Sequence, residues 1–367
     1  MKGKIFKQRK RLINMNEEKK RKIRNIAAVA ISASIIGGIA FFNREKVEEI
    51  IKKDTNINNQ HISIIMPFKI KEKENNEINT ILSPTNRIKD IANKIVKESN
   101  DTNQVIKNII EYMKEFKPIA HPTVGLPAKP EEFEKRGGGD CNEMVYYLMT
   151  LINEIQKIKD YDIKNKMALV LIDENGKHMI HAAMVVISPK LKNEWKTLNM
   201  DNLLNTNGIT EEEIKNAVII DLLNKKVIGI TPKLLIILNE KQFLGAYYAD
   251  AAATLTYLRK YELAEKYFNI ALKYDKDSPI TYYNISKMYE QKNEFKKAER
   301  YARKVIELAP NWSYGYFMLA QIYYWQDKYK SALEKLIKAK EVEPEFPYYE
   351  IYAKNAIKSI EAGLSKD

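Results

Sequence analysis

At 367 residues the chain is long enough for more than one domain. The net charge of +13 would suggest a nucleic-acid partner, but residues 1–25 hold eleven Lys and Arg against Glu17 and Glu18, which is +9, and only +4 is left for the rest. The excess is therefore a basic tail and no nucleic-acid groove is expected; the single cysteine, Cys141, excludes an internal disulfide.

Residues 26–42, IAAVAISASIIGGIAFF, carry no charge and follow the basic tail directly. Their length is at the short end for a membrane-spanning helix but within range. Four positive and four negative charges balance in the segment Asn43–Asp54 that follows. The positive-inside rule then places residues 1–25 in the cytoplasm and the later domains outside it. A cleaved signal, with Gly38-Ile39-Ala40 before the cut, and a buried core helix are the competing readings.

Residues 43–85 are polar and read as a spacer with one apolar island, Ile62–Ile70, of strand type. Ile88, Ile91, Ala92 and Ile95 predict a helix over Asn86–Glu98, and Val105, Ile106, Ile109, Ile110 and Met113 predict another over Asn103–Phe116. Four prolines then break regular structure up to Gly137. The runs Met167–Ile172 and Ile180–Ile187, separated by Asp173-Glu-Asn-Gly176, read as a hairpin. A polar insertion, Ser188–Asn216, precedes a strand at Ala217–Leu223, and Val227–Thr231 could add one more.

Gly137-Gly138-Gly139-Asp140-Cys141-Asn142-Glu143 lies between the prolines and the hairpin and opens a helix predicted over Cys141–Lys157. Asp140 suits an N-cap, and Glu143 completes a capping-box pattern. Cys141 then sits in the first turn, where the helix dipole and free N–H groups favour thiolate and could hold an oxyanion. The plainer reading is a small apolar side chain filling the core. His181 opens an apolar strand and Asp221 follows Ala217-Val-Ile-Ile, so a nucleophile, a base and an orienting carboxylate can be assigned. His121 could line the same cleft, while His178 reads as a turn residue. No metal-ligand spacing or phosphate loop appears, so no cofactor is expected.

Gly139-Asp140-Cys141 opening a helix, His181 opening a strand and Ile220-Asp221 in a later one resemble the transglutaminase-like superfamily of papain-type cysteine enzymes, over residues 86–240. The resemblance implies an α+β fold, with a Cys141–His181–Asp221 triad on a helix packed against an antiparallel sheet. The gap from His181 to Asp221 is longer than the family pattern, which leaves Asp201 as the alternative carboxylate.

From Gly245 a 34-residue period appears in Ala264/Ala298/Ala332, Tyr248/Tyr282/Tyr316, Tyr261/Phe295/Tyr329 and Pro310/Pro344. It resembles tetratricopeptide (TPR) repeats, helix–turn–helix units stacked in an all-α solenoid, with three repeats over residues 245–344 and a capping helix and tail over 345–367. Eighteen of the twenty-two tyrosines fall in this region, where they should pack helices together. The expected whole is a membrane-anchored cysteine hydrolase, a peptidase or amidase, whose repeats recruit a protein partner. The alternatives are a catalytically inactive scaffold or assembly protein at the membrane and an amine-accepting protein cross-linker.

Overall fold

The computed structural model describes residues 74–119, 126–174, 177–196, 203–205, 209–221, 234–344, 346 and 348–367. The basic tail, the apolar segment 26–42, the island Ile62–Ile70, His121, Asp201 and the strand expected at Val227–Thr231 lie outside the described residues. Among the described residues no helix is long and apolar enough to cross a membrane. The described residues fall into two compact units. Residues 74–254 and 266–276 belong to the first, and residues 255–265 and 277–367 to the second.

The first unit opens with α1 (Glu74–Ile81), inside the stretch expected as a spacer. Too few apolar residues mark it for a helical period to show. Its Glu77 accepts hydrogen bonds from the hydroxyls of Tyr248 and Tyr274. Helix α2 (Asn86–Glu98) starts where Thr85 accepts the Ile88 N–H, and α3 (Thr102–Met113) starts where Asp101 accepts the Gln104 N–H. The predicted apolar stripes are buried through Ile88, Ala92, Ile95, Val105, Ile106 and Ile109. Then come β1 (Lys117–Pro118), α4 (Pro130–Arg136), β2 (Gly138–Gly139) and α5 (Cys141–Ile158).

Strands β3 (Lys164–Glu174) and β4 (Lys177–Ile187) form the expected antiparallel hairpin, longer than the apolar runs alone indicate. The insertion Ser188–Asn216 is not merely polar loop. It holds a 3₁₀ turn at Asn193–Trp195, β5 (Leu203–Asn205) and α6 (Glu211–Lys215), before β6 (Ala217–Ile220) and β7 (Leu234–Ile237). The sheet order is β5-β7-β3-β4-β6. Sequence reading missed β7, because a short apolar run does not distinguish strand from buried helix. Helix α5 packs on β3 and β4. Ala183, Val185 and Ile187 of β4 join a core cluster with Ile214 of α6. Burial on both faces explains why the strands read as continuous apolar runs.

Helices α7 (Glu240–Tyr257) and α8 (Tyr261–Tyr274) follow. In the first unit Tyr146 of α5 packs against Phe243 and Tyr247 of α7, at ring separations of 5.4 and 5.6 Å. Gly245 permits close approach: a Cβ there would lie 2.9 Å from the Asp275 side chain and 3.3 Å from the Ala271 carbonyl oxygen.

The second unit contains α9 (Pro279–Gln291), α10 (Phe295–Leu308), α11 (Ser313–Trp325), α12 (Tyr329–Val342) and α13 (Tyr349–Glu361). The 34-residue period is structural. Ala298 and Ala332 are buried, as are Val305 and Ala339 two turns farther along. The inter-helix turns repeat as well: Arg259, Asn293 and Asp327 have φ of 58°, 59° and 63°. The tyrosines stack between helices, with Tyr289 and Tyr301 parallel at 5.5 Å. Helix α13 closes the series against α12 through Ala353 and Ala356.

Candidate functional site

The glycine run around the cysteine is built by backbone constraint. Gly137 ends α4 in the left-handed conformation, φ 76°. Gly138 and Gly139 then pair in parallel with Lys117 and Pro118. A Cβ on Gly138 would lie 2.0 Å from the Lys117 carbonyl oxygen, so only glycine fits. Asp140 caps α5 as expected: its carboxylate accepts the Glu143 N–H at 3.0 Å, and Glu143 accepts the Asp140 N–H at 3.2 Å. Glu143 does more than close this box. Its buried carboxylate also takes the Ala128 N–H at 2.7 Å and pairs with Arg136, which in turn donates to the Gly138 carbonyl.

Cys141 is 4% exposed, in the first turn of α5, and its sulfur accepts a hydrogen bond from the Ala182 backbone amide of β4. The helix start therefore abuts β4 one residue from His181. The backbone of His181 pairs with Val170 of β3; the side chains of His181 and His178 lie outside the described residues. The β4–β6 ladder ends at Met184 opposite Ile220, so Asp221 leaves β6 beside the same part of β4. Asp221 is 1% exposed and close enough to act electrostatically on Cys141. Two of the three expected residues thus converge, and the strand position of the third lies next to them.

The electrostatics differ from the expectation of a favoured thiolate. Burial pushes the Cys141 thiol well above its ordinary range, and the carboxylates of Asp140, Asp250 and Asp221 push it further. The Ala182 amide pulls the other way but does not offset them. Burial and the Glu143 charge raise Asp140 to about 7. Burial, then Asp140 and Glu143, raises Asp250 well above its ordinary range, although the Asn142 side chain donates a hydrogen bond to it. A helix N-terminus contributes a partial charge over one turn. Here it competes with desolvation and three acids, and it loses.

Asp250, Asn142 and Tyr146 were not singled out by sequence reading. Asp250 sits in α7, in a stretch assigned to the repeats. The signal available was one carboxylate among the small apolar residues Ala249-Asp250-Ala251-Ala252. Among the described residues no group of three or more His, Cys, Asp and Glu is placed to hold a metal ion.

The second unit carries a different cluster. Tyr283, Lys287 and Glu290 fall at i, i+4 and i+7 on one face of α9. The Lys287 ammonium lies 2.8 Å from Glu290 Oε2, both side chains being buried, and Trp325 Nε1 donates to Glu290 Oε1 at 2.6 Å. Gln321 Nε2 donates to the Tyr352 hydroxyl at 3.0 Å. The Tyr283 and Trp312 rings are 5.6 Å apart. The Tyr283 hydroxyl, Trp312 Nε1 and Gln321 Oε1 are buried with no hydrogen-bond partner.

A family model described as tetratricopeptide repeat matches residues 280–311. Among solved structures the chain is similar to the first TPR of Spaghetti (RPAP3) bound to HSP90 peptide SRMEEVD, with 15% identity over 32% of this chain and 94% of that one, TM-score 0.30. It is also similar to the Sgt2 TPR domain from Aspergillus fumigatus, with 19% identity over 32% of this chain and 80% of that one, TM-score 0.31. No curated protein matches. The repeat region is a helical tetratricopeptide-type solenoid. The family-model match lies inside that region, and neither it nor these two structures supports the transglutaminase-like domain expected over residues 86–240.

Proposed function

We propose that the chain is a protein-binding scaffold whose repeats hold a partner protein, with the basic, apolar N-terminal segment as its membrane anchor. The observation that carries this reading is the repeat itself: helix pairs at a 34-residue interval, with the same left-handed turn at Arg259, Asn293 and Asp327 and a repeat-family match at 280–311. Stacked repeats present successive helices as one extended surface, which suits a polypeptide ligand. In-cell cross-linking of the full-length chain, with the cross-linked residues mapped, tests it. A discrete partner joined to residues 255–367 is expected. Cross-links confined to residues outside the repeats would overturn the reading.

A second reading, cysteine acyl transfer, is favoured by one observation: the Cys141 helix start, the His181 position of β4 and Asp221 meet at one place. The Cys141 thiolate would attack an amide carbonyl, and the C–N bond would break as His181 passes its proton to the leaving amine, with Asp221 orienting the imidazole. Water as acceptor would complete hydrolysis, and a primary amine would complete cross-linking. The buried, proton-retaining thiol weighs against this reading and places the scaffold first.

A further inference from the structure

A stacked tyrosine pair recurs at the repeat interval. In the first unit Tyr248 of α7 and Tyr267 of α8 stack at 6.1 Å with ring planes 28° apart. At the same positions of the next repeat, in the second unit, Tyr282 of α9 and Tyr301 of α10 stack at 6.2 Å with ring planes 21° apart. The third repeat lacks the pair, because the period that reaches Tyr316 brings Lys335 in place of a second tyrosine. The two pairs differ in what lies on them. Tyr248 and Tyr267 are 6% and 7% exposed, and α1 of the same chain is seated at Tyr248 through Glu77, whose carboxylate accepts from the Tyr248 and Tyr274 hydroxyls. Tyr282 and Tyr301 are both partly exposed.

We propose that Tyr282 and Tyr301 seat a short polar helix of the partner protein, which presents a carboxylate to Tyr282 and Lys304 as α1 presents Glu77 to Tyr248 and Tyr274. The inference rests on the scaffold reading and names the chemistry of the partner. The chain itself shows such a ligand in α1, eight residues, ENNEINTI, with one acid at the start and another a turn later. The cations around the second pair suit the same chemistry. Arg300 lies over the Tyr301 ring at 4.8 Å and donates to its hydroxyl at 3.0 Å, and Lys304 is close enough to act electrostatically on Tyr282. Asp277 and Glu307 act on Tyr282 in the opposite sense, and Glu307 pairs with Lys304 at 2.5 Å. That ion pair is at the surface, where such pairs hold weakly, so Lys304 can exchange it for an incoming carboxylate. A hydroxyl donating to a carboxylate makes a stronger bond than a neutral pair, and the ring faces supply contact area.

The probe is a helix-stapled peptide with the α1 sequence and a photoreactive group, offered to the full-length chain. It should cross-link to residues 279–308, and its affinity should fall as salt rises. Tyr282→Phe and Lys304→Met should each weaken binding by about 3–10-fold, the effect of one lost hydrogen bond or ion pair, with thermal melts confirming that both variants fold. A peptide bearing Glu77→Gln should bind wild type and both variants equally poorly. Cross-links confined to residues outside 279–308 would overturn the inference, the probe then exchanging with α1 or binding elsewhere. So would affinity indifferent to both substitutions, or no binding. If a partner is still joined to residues 255–367 in cells in any of these cases, the scaffold reading survives and only the carboxylate-helix seat is lost.

Discussion

Arg136 and Glu143 form an ion pair, 2.5 Å from Nη2 to Oε2, in which the carboxylate is sealed from solvent and the guanidinium is 22% exposed. The pair ties the end of α4 to the first turn of α5 across the glycine run. Removing the guanidinium leaves a buried carboxylate without its cation. Arg136→Ala should therefore destabilise the first unit by about 2–4 kcal/mol, and Glu143→Gln, which keeps the shape and removes the stranded charge, should cost less. Denaturant unfolding of the two variants checks the order.

Asp140 supplies a pH signature. Its carboxyl is raised from an ordinary 3.8 to about 7 in the folded chain, by burial first and the Glu143 charge second. The folded state therefore binds the proton more tightly than the unfolded state. Stability from this group is full below about pH 4 and is lost as pH rises to about 7. Asp140→Asn, which retains a good N-cap, should melt more evenly across that window. Thermal melts in a pH series would show the difference between wild type and variant growing toward neutrality. A constant difference would mean that Asp140 titrates normally.

The three glycines are not equivalent. Gly138 has φ 152° and no room for a Cβ against Lys117, whereas Gly137 has φ 76° with open space around it. Gly138→Ala should cost about 3 kcal/mol or more because backbone must move. Gly137→Asn should cost only about 0.5–1 kcal/mol, since Asn tolerates the left-handed region. Comparable losses at the two positions would show that the β1–β2 pairing is not what constrains the run.

Cys141 should resist alkylation in the folded protein at neutral pH and label on unfolding, given a buried thiol surrounded by carboxylates. Asp250→Asn, which removes one carboxylate that raises the thiol, should raise the native labelling rate in the pH range where Asp250 is ionised. Fast labelling below the pH of a free thiol, abolished by His181→Ala, would instead favour acyl transfer over the scaffold reading.

The turn at Arg259 offers a gain. Asn293 and Asp327 suit φ near +60°, and Arg259 holds the same angle without the local side-chain hydrogen bonding that helps Asn and Asp there. Arg259→Asn should stabilise the second unit by about 0.5–1 kcal/mol, read as a raised melting temperature.

What was legible in the sequence followed local rules. The stripe of Asn86–Glu98, the cap at Asp140, the hairpin and the 34-residue period are each written in local sequence pattern. The first-unit surroundings of Cys141 were not. Asp250 is distant in sequence from Cys141, and Glu143 showed its capping role but not its bonds to Ala128 and Arg136. The sign of the cysteine's pKa shift depended on that assembled environment. A helix start is visible in sequence, whereas desolvation is a property of everything packed around it. Strand β7 was hidden for a related reason: burial on both faces erases the alternation that identifies a half-exposed strand.

The sheet order sets a schedule for synthesis. Strand β3 pairs at once with β4, but its other edge waits for β7, and Tyr146 on α5 waits for Phe243 and Tyr247 of α7. Until those residues leave the ribosome, the nascent chain carries an open strand edge and a bare aromatic surface, both prone to wrong association. The cysteine-bearing unit thus matures only after translation has entered the repeats. A message cut short near residue 240 would release a chain that has its glycine run, its cap and its cysteine, but lacks α7, whose Phe243 and Tyr247 pack on Tyr146 and whose Asp250 takes the Asn142 hydrogen bond.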